Sequence, residues 1–200
     1  MISLRGRRGI VNRDLGLALA ALIAALALTL VPIAAAPAAP ESRPAARYEW
    51  HAGDDFLAAF GPGATPAVAR AGGGERVEVK AWGTLAPADK EADGGGTYVR
   101  TDASGNEVDR GEIRVVSLVT FRSFGDASPQ GLPDFFEGGL ALLRVELRSA
   151  SGEEGRGMLW VTCALGNAPP GHREGVRLSI AGGPNFELSL GGRTLFIRTP

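Results

Sequence analysis

The sequence predicts an all-β domain: an antiparallel β-sandwich or a small β-barrel of about eight strands, with one short N-terminal helix after an exported leader. Two observations predict this class. Apolar and polar residues alternate through a series of short segments along most of the chain after residue 75. Stretches rich in Gly, Pro, Asp and Ser separate these segments and are typical of turns between strands.

The clearest element is a predicted hairpin of residues 139–147 and 157–165. Side chains alternate between the two faces of a strand, so one face of each strand is apolar. The connection, residues 149–156, is small or charged and predicts a loop with glycine at a positive φ. The apolar faces consist of Ala141, Leu143, Val145 and Leu147 in the first strand, and of Leu159, Val161, Cys163 and Leu165 in the second.

Further strands are predicted from the same alternation. The longest, residues 112–124, is expected to be central, heavily buried and broken by a bulge. Residues 84–96 are expected to form a loop, and Gly191-Gly192 predicts a two-residue hairpin turn. The other predicted strands are residues 77–82, 97–101, 176–180, 186–190 and 193–198.

Two aromatic segments are predicted to pack against the sheet. Residues 54–60 read as one or two helical turns, capped by Asp54 and ended by Gly61. Their apolar side chains are expected to plug one end of the sheet. Residues 132–137 contain two phenylalanines that are expected to fold back onto the core.

The N-terminal segment resembles an export signal in its composition. Residues 1–14 are basic, residues 15–31 are almost entirely apolar, and a run of small residues follows. Residues 1–38 are therefore predicted to be a signal peptide or, because the apolar run nearly spans a bilayer, an N-terminal membrane anchor. Residues 39–47 form a Pro/Ala-rich linker, and residues 48–200 form a single β-rich domain that is expected to be extracytoplasmic, either secreted or anchored at the cell membrane.

Charge and cysteine content restrict the function classes. The chain carries a net charge of −1, and its leader holds four arginines against one aspartate, so the remainder is mildly acidic. This balance argues against nucleic-acid binding, and membrane contact is expected only through an uncleaved N-terminal segment. Cys163 is the one cysteine, so no internal disulfide exists. Its phase with Leu159 and Val161 predicts a buried, inert thiol rather than a nucleophile paired with His172.

Few residues carry candidate chemistry, and neither a catalytic residue nor a cofactor is predicted. His51, Asp54 and Asp55 have the side chains of a metal site, but no further ligands accompany them, and capping by Asp54 beside a surface histidine explains them better. Trp82 and Trp160 lie on the mixed faces of their strands, where aromatics could line a ligand site. The candidate ligand-binding residues are Trp82, Tyr98, Arg144, Trp160 and His172.

The function expected from these observations is an exported, non-enzymatic β-domain that binds an envelope protein or a small ligand. The alternative is a small ligand-holding barrel, of lipocalin or allene-oxide-cyclase type in architecture only, with an isomerase or hydrolase activity. This alternative predicts that Trp82 and Trp160 flank a cavity.

Overall fold

A computed structural model describes residues 45–199, and the predicted leader lies outside these described residues. The domain is all-β, and eleven strands form one antiparallel sheet. The strands are β1 (Arg47–Ala52), β2 (Ala67–Arg70), β3 (Arg76–Ala86), β4 (Glu91–Thr101), β5 (Glu107–Asp126), β6 (Phe136–Ser149), β7 (Glu154–Cys163), β8 (Gly175–Ile180), β9 (Asn185–Phe186), β10 (Leu188–Gly191) and β11 (Thr194–Thr199). Two 3₁₀ helices, Asp55–Phe60 and Ser128–Gln130, lie between strands.

Six of the strands pair in a closed circuit. Strand β3 pairs with β4, β4 with β5, β5 with β6, β6 with β11, β11 with β1, and β1 again with β3. Outside this circuit, β7 pairs with β6, β8 with β7, and β9 with β8. On the other side, β2 pairs with β3, and β10 pairs with β2. The inner face of this sheet holds one hydrophobic cluster, in which Trp50, Phe186 and Phe196 are the largest fully buried side chains.

The predicted hairpin is present as β6 and β7. Ala141 pairs with Val161 and Leu143 with Leu159, and all four side chains are fully buried. Gly152 in the connecting loop has φ +89°, as the loop composition predicted. The hairpin therefore supplies one wall of the core, as its alternation indicates.

Strand β4 corrects the prediction of a loop over residues 84–96. Residues 84–86 extend β3, and β4 runs from Glu91 through the three consecutive glycines, paired with β3 along its whole length. A Cβ on Gly96 would lie 2.0 Å from the Lys80 carbonyl oxygen, and one on Gly94 would lie 2.2 Å from that of Trp82. The two backbones approach too closely for side chains here, so glycine permits the pairing rather than ending the strand.

Strand β5 is long and irregular, as predicted, but only one of its faces is buried. Its pairing with β6 shifts register at three points, between Val115 and Ser117, Leu118 and Thr120, and Ser123 and Gly125. Ile113, Val115 and Leu118 face the core, whereas Val116 and Val119 are exposed. The expectation of a heavily buried strand was wrong, because the outer face of this part of the sheet is left to solvent.

The predicted hairpin at Gly191-Gly192 does not form. Strand β10 pairs with β2, and β11 crosses to pair with β1 and β6. A Cβ on Gly192 would lie 2.2 Å from the Cα of Ala67, so this glycine allows the chain to pass close to β2. Strands β1 and β2 were not predicted, because each is short and pairs with segments distant in the sequence.

The first 3₁₀ helix folds over the outer side of β1. Leu57 is buried and belongs to the hydrophobic core, as predicted, whereas Phe56 and Phe60 are exposed, so only one of the three apolar side chains contributes to the core. Asp54 stands at the N-cap position, but its carboxylate makes no capping hydrogen bond. Among residues 45–199 no helix is long and apolar enough to cross a membrane.

Candidate binding surfaces

Trp160 lies at the centre of the outer face of β5–β8. Strand pairing places Leu142 of β6 on one side of it and Arg177 of β8 on the other. The Arg177 guanidinium carbon lies 5.5 Å from the centre of the Trp160 ring, which is cation–π geometry. The ring restricts the guanidinium group, and Arg177 remains exposed to solvent.

Two more arginines flank this pair on the same face. Arg144 pairs with Met158 in the next row, and Arg122 pairs with Leu140 in the row on the opposite side. Of the residues in the described part of the chain, none provides an ion-pair partner for any of these three exposed arginines. We name the surface formed by Arg122, Leu142, Arg144, Met158, Trp160 and Arg177 the basic face.

The adjoining rows of the same outer face balance their own charge. Arg114 pairs across strands with Glu146 and forms an ion pair with it, and Glu146 pairs in turn with Arg156. In the next row, Arg148 is flanked by Glu112 and Glu154. These side chains line a groove of ≈ 980 Å³. Alternating charges across strands stabilise the sheet locally, and these two rows together carry three arginines against three glutamates.

His172 lies beside the basic face rather than within it. It shares a pocket of ≈ 430 Å³ with Arg173, Arg177 and Glu187. Its ring meets the edge of Phe124 at a centroid distance of 5.2 Å, and its Nδ1 is 3.2 Å from the Pro169 carbonyl oxygen. The structure therefore brings together three of the sequence-based candidates, Trp160, Arg144 and His172, on one side of the sheet.

Tyr98 belongs to neither surface, although the sequence nominated it for ligand binding. Its side chain is buried against the core, and its hydroxyl donates a hydrogen bond of 2.9 Å to Asp109 Oδ2. Burial, together with this bond and the Asp109 charge, raises the pKa of Tyr98 to about 12. Its position indicates that Tyr98 packs and stabilises the β4–β5 hairpin rather than lining an exposed binding surface.

A second exposed surface is formed by aromatic side chains over β1, β3 and β11. Phe56 and Phe60 of the 3₁₀ helix lie 5.7 Å apart, Phe60 lies 6.1 Å from Phe136, and Phe136 lies 4.9 Å from Phe135. Trp82 adjoins this row, because it pairs with His51, on which Phe56 stacks. We name Phe56, Phe60, Trp82, Phe135 and Phe136 the aromatic ridge.

The aromatic ridge corrects the prediction for residues 132–137. Phe136 packs against the core, but Phe135 is 46% exposed instead of folding back. Glu137, from the same segment, is buried on the inner face and accepts hydrogen bonds from Tyr48 and Ser123. The segment thus directs a carboxylate inward and an aromatic ring outward, the reverse of what hydrophobicity alone predicts.

The weak metal candidates meet beneath the aromatic ridge. His51 is buried, contrary to the expectation of a surface residue, and its Nδ1 lies 2.7 Å from Asp54 Oδ2. Its Nε2 is 3.2 Å from Glu49 Oε1 without hydrogen-bond geometry, and Asp55 turns away to bind Lys80 at 2.8 Å. Within residues 45–199 no three His, Cys, Asp or Glu side chains are grouped to hold a metal ion.

Cys163 is fully buried, as its phase in β7 predicted. Burial is the main cause that raises the pKa of its thiol to about 12, so the thiolate needed for nucleophilic chemistry is not formed near neutral pH. Nearby, Glu174 accepts hydrogen bonds from the Ala164 and Thr194 amides and from Thr194 Oγ1. This half-buried carboxylate, whose pKa is raised by burial, ties the β7–β8 loop to β11.

Trp82 and Trp160 do not share a cavity. Both lie on the outer side of the sheet, but four strand steps from β3 to β7 separate them, each about 4.8 Å wide. Trp82 is 57% exposed to solvent. Comparisons with protein-family models, with curated proteins and with solved structures find no match to this chain.

Proposed function

We propose that this protein is an exported, non-enzymatic β-domain that binds an acidic polypeptide on its basic face. The observation that carries the proposal is the Arg177 guanidinium over the Trp160 ring, with Arg144 and Arg122 on either side and no ion-pair partner for these arginines among residues 45–199. Arginine forks bind carboxylates through two parallel hydrogen bonds, and stacking on an aromatic ring reduces the entropy lost when they do so.

The partner's charge is inferred from contrast with the rest of the domain. The chain after the leader is mildly acidic, yet three exposed arginines, for which the described part of the chain provides no ion-pair partner, gather on one part of one sheet. Exposed surfaces of one sign attract and orient partners of the opposite sign. A partner that carries acidic groups is therefore favoured at this part of the surface.

The apolar members of the basic face favour a polypeptide over an acidic polysaccharide. Leu142 and Met158 lie between the arginines and offer contacts to aliphatic side chains. A sugar ring would need an open aromatic face, but Arg177 covers the ring of Trp160. A segment that mixes carboxylates with aliphatic residues matches both properties.

The leader composition supports the extracytoplasmic location in this proposal, either secreted or anchored. The closed circuit of six strand pairings supports the small-barrel architecture over the sandwich. A ligand held inside such a barrel receives less support, because leucine, valine and aromatic side chains occupy the inner face.

The test is binding of a fluorescent random copolymer of glutamate and leucine to the purified protein. Arg144→Glu and Arg177→Glu should each weaken binding about tenfold or more, since each loses a charge-assisted contact. Arg76→Glu, which reverses an exposed arginine of β3, is the matched control for net charge. Binding should also weaken as salt is added.

Two results would reject this function. If Arg76→Glu weakens binding as much as Arg144→Glu does, the copolymer senses only net charge and the basic face is not a site. If polygalacturonate, an acidic polysaccharide, binds more tightly than the copolymer, the partner class is wrong.

A further inference from the structure

We propose that the aromatic ridge rests on the surface of a zwitterionic lipid bilayer. This surface is separate from the basic face and gives the domain a second binding function. The inference rests on the exposure of the ridge, on the charges around it, and on its place in the chain.

Exposure sets the ridge apart from the rest of the surface. Trp82 is 57% exposed, Phe56 46%, Phe135 46% and Phe60 37%. Centroid contacts link Phe56, Phe60, Phe136 and Phe135 in one row, so these rings form a continuous surface. Large contiguous apolar patches on soluble domains mark sites of interaction. Trp and Phe side chains both partition into the interfacial layer of a bilayer.

Charges around the ridge select the lipid headgroup. Glu49 and Asp55 carry exposed carboxylates at one side, and Asp134 adjoins Phe135. Lys80 and Arg198 lie here as well, but Lys80 pairs with Asp55 and Arg198 pairs with the buried Glu137, so Glu49 and Asp134 leave the rim with a net negative charge. Anionic lipids would be repelled by this rim, while the quaternary ammonium of phosphatidylcholine is attracted to carboxylates and to aromatic rings.

The order of the chain limits the length of chain between the apolar run of the leader and β1. Residues 32–46 separate that run from β1, and at about 3.5 Å per residue they reach roughly 50 Å when extended. Strand β1 is the first strand after them, and its His51 supports Phe56. A leader retained in a membrane would therefore hold the ridge within reach of the same bilayer.

The aromatic ridge and the basic face meet along β6. Phe136 begins that strand, and Arg122 pairs with Leu140, four residues further along the same outer face. Trp160 pairs with Leu142, six residues from Phe136, which is about 20 Å at 3.3 Å per residue. The far end of the ridge can therefore contact lipid while Trp160 and Arg177 remain open to an acidic partner.

Tryptophan quenching by brominated lipid tests this arrangement. The full-length protein is reconstituted in phosphatidylcholine vesicles whose acyl chains carry bromine. In Trp160→Phe, which retains Trp82, most of the Trp82 fluorescence should be lost relative to vesicles without bromine. In Trp82→Phe, which retains Trp160, the Trp160 fluorescence should be the same in vesicles with and without bromine. Trp50 is fully buried and contributes equally to both variants.

Second-site changes separate lipid contact from other effects. In the Trp160→Phe background, Phe56→Ser and Phe60→Ser together should reduce the quenching of Trp82, and Val108→Ser, an exposed apolar change on β5, should not. Adding the anionic lipid phosphatidylglycerol to the vesicles should also reduce the quenching of Trp82.

Equal quenching of Trp82 and Trp160 would overturn the proposal, as would no quenching of Trp82. Failure here leaves copolymer binding to the basic face unaffected, so the two proposals fail separately.

Discussion

The imidazole of His51 and the carboxylate of Asp54 form a buried pair, with Nδ1 and Oδ2 2.7 Å apart. Phe56 stacks on the same imidazole with ring centroids 4.2 Å apart. The pair therefore joins the outer side of β1 to the start of the 3₁₀ helix that carries Phe56 and Phe60. It explains why Asp54 does not cap that helix: its carboxylate is used by His51 instead.

Asp54→Ala should destabilise the domain by about 1–3 kcal/mol, because it leaves His51 Nδ1 buried without a partner. Urea unfolding followed by circular dichroism measures this free energy. Asp55→Ala is the control, since its exposed pair with Lys80 adds little to stability. Equal effects of the two changes would contradict the assignment of the buried pair.

The two tyrosines of the chain should resist ionisation in the folded state. Burial, with the charge and hydrogen bond of Glu137, raises the pKa of Tyr48 to about 12, and Tyr98 has a pKa of about 12 beside Asp109. Both lie above the ordinary value of 10.0, so the folded state holds these protons more tightly than the unfolded state. Their contribution to stability is complete below pH 10 and is lost as pH rises toward 12.

Tyrosinate absorbance during alkaline titration measures this property. Little ionisation is expected at pH 10, where an exposed tyrosine is half ionised, and the absorbance should rise together with unfolding. Tyr98→Phe should halve the total change in tyrosinate absorbance. The remaining tyrosine, Tyr48, should still ionise only in the pH range where the protein unfolds. A normal titration curve in the folded protein would refute the burial of these hydroxyls.

The thiol of Cys163 should not react with a thiol-specific reagent in the folded protein at neutral pH. It is fully buried, and its raised pKa leaves almost no thiolate. The reagent should modify one thiol per chain once the protein is unfolded in guanidinium chloride. Rapid modification of the folded protein would restore the nucleophile interpretation, and His172→Ala would then show whether the histidine activates it.

Local patterning in the sequence was sufficient for the central hairpin and for two members of the basic face, Arg144 and Trp160. Alternation along β6 and β7 separates Leu143 and Leu159 from Arg144 and Trp160 without knowledge of any other strand. Arg177 was missed because it depends on which strand pairs with β7, and pairing partners are tertiary information. Arg177 nevertheless alternates with the apolar Val176 and Leu178 in the sequence. That alternation predicts that Arg177 points outward from its strand, although it does not identify the neighbouring strand.

The aromatic ridge and β4 were not predictable in this way. Phe60 meets Phe136 only because the 3₁₀ helix folds over β1 and β11 brings β6 alongside, which sequence periodicity does not encode. Strand β4 has no side-chain alternation across Gly94–Gly96, because the close approach of β3 excludes side chains there. In both places contacts between distant segments override the local signal.

The two faces of β6 offer a direct comparison of core and surface roles. Leu143 is fully buried between Leu118 and Leu159, while its neighbour Leu142 is half-buried beside Trp160. Leu143→Ala should lower the free energy of unfolding by about 2–5 kcal/mol, since it leaves a cavity in the core. Leu142→Ala should cost less, because part of its side chain is already in water.

The same two variants also separate folding from binding. At a temperature where both remain folded, Leu142→Ala should weaken copolymer binding, because it removes an apolar contact between Arg122 and Arg144. Leu143→Ala should leave that affinity unchanged, since its side chain points to the opposite face. Fluorescence titration with the Glu/Leu copolymer, after urea unfolding of each variant, measures both quantities. If the buried Leu143 rather than Leu142 controls affinity, the outer face of this hairpin is not the binding surface.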